Sequence, residues 1–399
     1  MTQIGQRGAR AIQAAAGDLI ELSHSIHAEP ELAFAEHRSV AKVTDLLDGY
    51  GFDITTGVAD LPTAFTASYG SGDLVVGLCA EYDALPGLGH ACGHNMIAAT
   101  AVGAARGLAE IADELGITVV VLGTPAEETG GGKILMARAG VFDPVAMALM
   151  VHPGRMDEVA SRSLALDDLA IRYTGVESHA AAAPERGRNA ADAGTIAQVS
   201  LGLLRQHLKA GQQIHGIVSD GGTVPNIVPG HSELLYYLRA VDEASLADLR
   251  ERAEACFAAG ALAAGCTYEI ATVSPTYVEL RHDQRLLAAY RGAVADLGRE
   301  VMPAAMEGVR PLGSTDMGNI SHVLPSIHPM IGIESNGAGT HEIEFAAAAA
   351  SPSADQAVVD GALALAATAA RAAADPQWRD DLLQEQEKRI GSVPRNAGR

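Results

Sequence analysis

The chain has 399 residues, 48% of them apolar, with a formal net charge of −21 and a pI of about 5.0. That length and apolar content suffice for two domains with sizeable cores. The acidic balance argues against nucleic acid and anionic membrane surfaces as partners. The four cysteines (Cys79, Cys92, Cys256 and Cys266) are too few and too irregularly spaced for a disulfide framework. The first residues lack an uninterrupted apolar core and carry Asp18 and Glu21, so they read as neither a signal peptide nor a membrane span. The expected location is the cytoplasm.

In chain order, a helix is expected over Ile4 to Ala28, ending at the Glu29-Pro30 step because proline disfavours helix in the residue before it. A second runs from Glu36 to Asp48 and stops at Gly49 and Gly51. Leu74 to Ala80 is a continuous apolar run of strand length ending in Glu81-Tyr82-Asp83. A helix rich in alanine follows over Asn95 to Leu115. The β-branched run Ile117 to Gly123 ends in Thr124-Pro125-Ala126-Glu127-Glu128, a short helix covers Gly132 to Arg138, and the run Val145 to Val151 leads straight into His152. Continuous apolar strands separated by helices indicate a mostly parallel sheet buried on both faces.

The pattern changes near Leu164. Strand Leu164–Thr174, helix Asn189–Leu208, strands Gln213–Ser219 and Ser232–Ala240, helix Glu243–Ala263 and strand Cys266–Val273 give the order βαββαβ, that of a small ferredoxin-like domain. After Pro275 the α/β pattern resumes with helix Asp283–Leu297, a short strand Ile331–Glu334 and helix Asp355–Ala373. The expectation is an α/β catalytic domain, residues 1–163 plus 276–399, interrupted by an inserted domain, residues 164–275. Ala346 to Ala350 should pack, and the charged tail after Pro376 should be loosely attached.

Three strands end in ligand-type residues, and open α/β sheets place sites at the carboxyl ends of their strands. Between two of those strands lies Gly87-Leu88-Gly89-His90-Ala91-Cys92-Gly93-His94-Asn95. Its alternate His, Cys and His could converge from a turn, whereas on a helix they would lie about 200° apart. The strand ends together offer Cys92, His94, Glu128, His152 and, in the later turn, His341. Cysteine, histidine and glutamate suit zinc or a similar first-row ion rather than magnesium or calcium. Five such ligands exceed one structural site and suit two ions about 3.5–4 Å apart sharing a water, with the Cys92 thiolate able to bridge them. In the adjacent pair Glu127-Glu128, one carboxylate on a metal leaves its neighbour to move protons. No strand is followed by a G-x-G-x-x-G fingerprint, which argues against a dinucleotide enzyme.

The ordered segments HAEPELAFAEHRS from His27, EYDALP, HACGHN, TPAEE, MVHP, SHAAAAPERGRNAADA from Ser178, GGTVPNIVP and THEIEFA together resemble the M20 family of dinuclear metallopeptidases and amidohydrolases. The likeness is to its aminoacylase/carboxypeptidase-like branch and covers nearly the whole chain, inserted domain included. By position it implies Cys92, His94, Glu128, His152 and His341 as ligands of two divalent ions (zinc or manganese, with cobalt or nickel allowed). It implies Glu127 as general base and Asp83 as the residue orienting a neighbouring ligand. It implies His179 as polarising the scissile carbonyl from the partner subunit of a homodimer, and Asn226 and Arg239 as holding the substrate carboxylate.

The implied reaction is hydrolysis of a C–N amide bond in an N-acyl amino acid or related carboxylate-bearing amide by a metal-activated water. The alternatives are a dipeptidase for unusual dipeptides or a non-catalytic ligand-binding protein on the same fold. Three positions depart from the branch: Asn95 for its usual Asp, Ile97 for its usual His, and EYDALP for DMDALP. The GHN form resembles a subgroup with aminobenzoyl-glutamate hydrolase-like proteins and dipeptidases for β-alanyl-lysine-type substrates. His27, His90, His322 and His328 have no assigned role.

Overall fold

A computed structural model describes residues 3–309 and 313–392. The chain forms two compact units, one of residues up to Arg162 with Leu280–Leu312 and Asp316 onward, the other of Ser163–Glu279 with Gly313–Thr315.

The first unit opens with α1 (Gln3–Ala14), α2 (Ala16–Ala28) and α3 (His37–Gly49). The long helix expected at the start is therefore two helices, broken at Ala15, whose ψ of 0° lies outside the α-helical range. Two short strands follow that no apolar run announces, β1 (Asp53–Thr56) and β2 (Phe65–Tyr69). They lack such a run because β1 is the exposed edge of the sheet and β2, beside it, is covered only in part. Next come β3 (Leu74–Ala80), α4 (His94–Ala109), α5 (Ala112–Leu115), β4 (Ile117–Gly123), α6 (Gly132–Arg138), β5 (Met147–Leu149) and β6 (His152–Gly154). The helix expected over Asn95–Leu115 is thus α4 and α5, and the expected Val145–Val151 strand shrinks to β5, with β6 in a separate two-stranded sheet.

The second unit holds β7 (Ala165–Thr174), α7 (Ala190–Leu204), β8 (Gln213–Asp220), β9 (His231–Ala240), α8 (Glu243–Ala264) and β10 (Thr267–Thr272). Its four strands form an antiparallel sheet in the order β10-β7-β9-β8. Asn189 caps α7 by accepting from Ala191 N at 2.9 Å, and Asp242 caps α8 by accepting from Ser245 N at 2.7 Å. This unit has its own core, built around Leu169, Ile171, Leu234, Leu238, Leu249 and Phe257.

The first unit resumes with α9 (Gln284–Asp296), α10 (Met317–Ser321), β11 (Ser326–Ile327), β12 (Met330–Gly332), α11 (Ile343–Ala348), α12 (Pro352–Ala374) and α13 (Pro376–Ser392). Its six-stranded sheet has the order β1-β2-β4-β3-β5-β11. The sheet is mostly parallel, as expected, with one strand reversed: β4, β3, β5 and β11 run parallel, while β2 pairs antiparallel with both β1 and β4. Along β3, Leu74, Val76, Leu78 and Ala80 enter the core formed with α1, α2, α4 and α12, while Cys79 faces a second cluster with Met136, Met317 and Ile320. Period-two alternation therefore persists although both faces are covered.

Helix α12 is apolar and long enough to cross a membrane, yet it packs on α4 and α9 with most of its length buried. The segment from Ala346 packs, as expected, through the buried Ala346, Ala348 and Ala349. The tail, expected to be loosely attached, is docked as far as Ser392, and residues 393–399 lie outside the described residues. Trp378 and Leu382 of α13 are buried, and Arg379 donates to the Leu115 and Gly116 carbonyls at 3.0 and 2.8 Å. Its many charges mask an amphipathic helix.

Candidate metal centre

The turn after β3 and the start of α4 bring the first donors together. Gly93 adopts a left-handed φ of 76°, and a Cβ there would lie 2.4 Å from Pro153 Cγ, so only glycine permits this approach. The turn points Cys92 and His94 toward the ends of the neighbouring strands. Cys92 Sγ lies 3.4 Å from His152 Nε2 and 3.6 Å from His341 Nε2. His94 Nε2 lies 3.8 Å from Glu128 Oε1, and Glu128 Oε2 lies 3.4 Å from His341 Nε2.

Two donor triads result, Cys92–His94–His152 and Cys92–Glu128–His341, each with its donor atoms within 4.8 Å of one another. Cys92 Sγ belongs to both. All five expected ligands are thus in one place, together with Glu127 and Asp83.

The rings are held so that Nε2 faces inward. Asp83 Oδ1 takes His94 Nδ1 at 3.0 Å, and the Pro153 carbonyl takes His152 Nδ1 at 2.7 Å. Asp83 Oδ2 also accepts the Glu128 backbone N–H at 3.0 Å. His341 is held by its backbone N–H on the Ala91 carbonyl at 2.8 Å and has a φ of 69°, a conformation strained for histidine. Ala126, just before Glu127, is also left-handed at 59°, and Glu36 Oε1 pins its N–H at 2.9 Å. Glu31 accepts from Arg38 N and Ser39 N at the start of α3. The segment from His27 to Ser39 thus serves as scaffold for the site.

The donor set fits divalent ions. Ligands about 2.0–2.3 Å from a tetrahedral ion stand about 3.3–3.8 Å apart, the range of the close pairs here. His94 Nε2 and Glu128 Oε1 are buried without a hydrogen-bond partner, a cost that an ion would remove.

The electrostatics point the same way. Burial pushes the Cys92 thiol well up, with Glu128 adding, and a divalent cation reverses that balance by deprotonating a coordinating thiol. Burial pulls His94 down, but Asp83 and Glu81 outweigh it and raise it well above the usual imidazole value. Burial and His94 hold His152 down to about 4. The adjacent glutamates part company. Burial, Glu81 and Glu128 push Glu127 well up, whereas His341 and His94 outweigh burial to hold Glu128 down.

Two charged residues in this unit escape sequence reasoning, Lys133 and Asp316. Lys133 donates to Glu81 Oε1 at 2.5 Å and to Asp316 Oδ1 at 2.8 Å, all three fully buried. Burial pulls the ammonium down, but Asp316 and Glu81 raise it well above the ordinary value. The one signal in the sequence is a lysine inside the apolar helix Gly132–Arg138.

Asn95, one of the three departures from the branch, is engaged away from the donors. Its amide donates to Ser23 Oγ and the Ala349 carbonyl, both at 2.9 Å, and ties α4 to α2 and to the end of α11. His328 stacks on His152 with ring centroids 5.4 Å apart. His90 is buried beside His27, 6.1 Å between centroids, and burial, His94 and His27 hold it down to about 3.

In the second unit, His179 and Asn226 occupy two paired loops: the Asn226 carbonyl accepts Ala180 N–H and the Ser178 carbonyl accepts Val228 N–H. His179 Nδ1 accepts from Ala181 N and Ala182 N at 3.2 and 3.1 Å, which puts its proton on Nε2. Arg239, near the end of β9, stacks over Tyr237 and donates to Ser314 Oγ at 2.9 Å.

Comparison with known proteins gives these arrangements a context. Residues 77–371 match Peptidase family M20/M25/M40. The chain is 40% identical over 380 residues to the mouse (Mus musculus) Xaa-Arg dipeptidase, covering 91% of this chain and 88% of that protein. It is 34% identical over 295 residues to one of the p-aminobenzoyl-glutamate hydrolase subunits of Escherichia coli, covering 69% and 59%. Its fold resembles the crystal structure of an aminobenzoyl-glutamate utilization protein from Klebsiella pneumoniae, with a TM-score of 0.71, 21% identity and 90% and 97% of the two chains covered. It also resembles a Bacillus subtilis protein described as a dinuclear metal binding peptidase from the M20 family, with a TM-score of 0.66, 22% identity and 90% and 98% covered.

Proposed function

The chain belongs to Peptidase family M20/M25/M40, a family of metal-dependent hydrolases acting on amide bonds, and on that premise we propose that it is a dipeptidase using two divalent ions and Glu127 as general base. The observation that carries this reading is the pair of donor triads sharing Cys92, with Glu127 beside them. Cys92, His94 and His152 would hold one ion, and Cys92, Glu128 and His341 the other. The donor set favours zinc and allows manganese, cobalt or nickel. Bound divalent ions supply Lewis acidity toward the amide carbonyl and lower the pKa of water.

The remaining work falls to side chains. Glu127, its carboxyl pushed up by burial, Glu81 and Glu128, takes a proton from the attacking water and passes it to the leaving nitrogen. Its neighbour Glu128, held anionic, stays a ligand, and this division follows the rule that environments which push two carboxyls apart assign their roles. His179, with its proton on Nε2, is suited to donate a hydrogen bond to the carbonyl oxygen as negative charge develops. Asn226 and Arg239 are suited to the substrate carboxylate. We assign the second unit as a lid and dimerisation domain, with His179 acting on the partner's site. The supporting observation is the edge strand β8, where Ile217 is 61% exposed, together with Val199 and Leu203 of α7, 60% and 64% exposed. The four unpaired cysteines accord with a reducing, cytoplasmic setting.

The 40% identity to an Xaa-Arg dipeptidase favours dipeptides with a cationic C-terminal residue over N-acyl amino acids. The test is a matched panel of Xaa-Arg, Xaa-Lys and neutral dipeptides, N-acyl amino acids and p-aminobenzoyl-glutamate. It is run after loading with defined metals, with metal content measured alongside. The highest kcat/KM is expected on Xaa-Arg. Turnover confined to N-acyl amino acids would defeat the dipeptidase reading, and a metal-replete protein inert on the whole panel would defeat the enzyme reading.

A further inference from the structure

Lys133, Glu81 and Asp316 form an ion cluster with no exposed surface. Burying three charges carries a desolvation cost, and apolar residues of similar volume commonly pack as well or better. The cluster therefore asks for a role beyond packing.

Its position suggests one. Glu81 Oε1 is taken by Lys133, but Glu81 Oε2 is buried without a hydrogen-bond partner and lies 3.4 Å from His94 Nε2. A Glu127 oxygen lies 3.9 Å from the same nitrogen. Glu81, His94 and Glu127 thus make a third donor triad, with donor atoms within 4.8 Å of one another. This triad competes with the others. His94 has only Nε2 to offer, because Nδ1 faces Asp83, so an ion on the third triad removes His94 from Cys92 and His152. It also ties up Glu127. Two carboxylates and an imidazole form a good site for a first-row divalent ion, so something must keep that ion away.

We propose that Lys133 does so: its ammonium, 2.5 Å from Glu81, repels divalent cations from the Glu81–His94–Glu127 triad and so reserves His94 for the Cys92 site and Glu127 for proton transfer. This rests on the roles given above to Glu127 and the Cys92 triads. It also accounts for Glu81 in EYDALP, whose side chain, one methylene longer than the branch's usual Asp, reaches Lys133. Lys133 is on this view a positioning residue that acts by exclusion.

Cobalt substitution tests it, because thiolate-bound cobalt has a charge-transfer absorption that oxygen- and nitrogen-bound cobalt lacks. In the wild-type protein, thiolate absorption should rise with bound cobalt until saturation. In Lys133→Met, absorption per bound cobalt should fall about twofold, as one of two ions leaves the thiolate, and kcat should fall at least about tenfold. Adding Glu81→Gln to that variant dismantles the third triad and should return absorption per ion to the wild-type value. Lys133→Gln keeps a donor toward Glu81 without its charge and should behave like Lys133→Met, so a packing failure of the methionine variant does not decide the matter. Unchanged absorption per ion in a folded charge-removing variant, no recovery with Glu81→Gln, or failure of both lysine variants to fold would overturn the proposal. Absence of thiolate absorption in the wild-type protein would instead overturn the assignment of Cys92 as a ligand.

Discussion

Asp83 Oδ1 and His94 Nδ1 stand 3.0 Å apart, and that one contact decides which nitrogen of His94 can face an ion. Asp83 also fixes the Glu128 backbone. Replacing it with Asn should weaken metal affinity about 10–100-fold, the usual effect of losing a partner behind a ligand. Chelator competition measures this, and affinity equal to wild type would remove Asp83 from the metal site.

The opposite displacements of Glu127 and Glu128 predict a clean separation of functions. Glu127→Gln should retain its metal while kcat falls about 10²–10⁴-fold. Glu128→Gln should lose metal as well as turnover. Metal analysis beside single-turnover kinetics distinguishes the two, and near-normal turnover in Glu127→Gln would end its assignment as base.

Metal uptake should release protons. His94 is raised by Asp83 and Glu81 against the effect of burial, and the Cys92 thiol is raised by burial, so both hold protons at neutral pH that an ion must displace. Protons and metal compete for the same atoms, so apparent affinity should rise with pH across the neutral range. Calorimetry in buffers of different ionisation enthalpy counts the protons, and equal affinity at about pH 6 and about pH 8 would contradict the argument.

Glu36 predicts a pH dependence of stability. Burial raises its carboxyl from 4.5 to about 7, so between those values the folded chain holds a proton that the unfolded chain has lost. Its contribution is therefore fully present below about 4.5 and disappears as pH rises through about 7. Glu36→Gln keeps an acceptor for the Ala126 N–H and should remove a fall on the order of 1–3 kcal/mol over that window. Melting temperatures of both proteins from acid to neutral pH provide the comparison, with parallel curves counting against the claim.

If His179 serves the partner's site, two inactive proteins should restore each other. Mixing His179→Ala with Glu127→Gln under subunit exchange gives hybrids with one competent site, so about a quarter of wild-type activity should return in a random mixture of dimers. No recovery despite demonstrated exchange would place His179 in its own subunit's chemistry or outside the reaction.

The sequence is most legible where one physical cause acts alone. Leu74–Ala80 and Ile117–Gly123 have the boundaries of their apolar runs because two covered faces demand them. Residues at the ends of those strands lead to the donors for the same reason. Legibility fails where partners are distant in sequence. Phe65–Tyr69 is a strand because β1 and β4 flank it, and its own composition is unremarkable. Pro376–Ser392 reads as a charged tail until Trp378 and Leu382 are seen beneath it. Lys133 and Asp316, 183 positions apart, reveal their bond only in three dimensions. Asn95 stands out in the sequence only as a departure within a motif, and that its amide joins three helices shows only in three dimensions.

The sulfur common to the two donor triads would also tie any metal held there to its own oxidation state. Converting Cys92 to a sulfinic acid would replace a soft thiolate donor in both triads in a single event, so metal loss would be all-or-none rather than stepwise. Burial at 8% exposure gives that sulfur partial shelter. An ion in place would add to it, by engaging the sulfur lone pairs that would otherwise attack an oxidant.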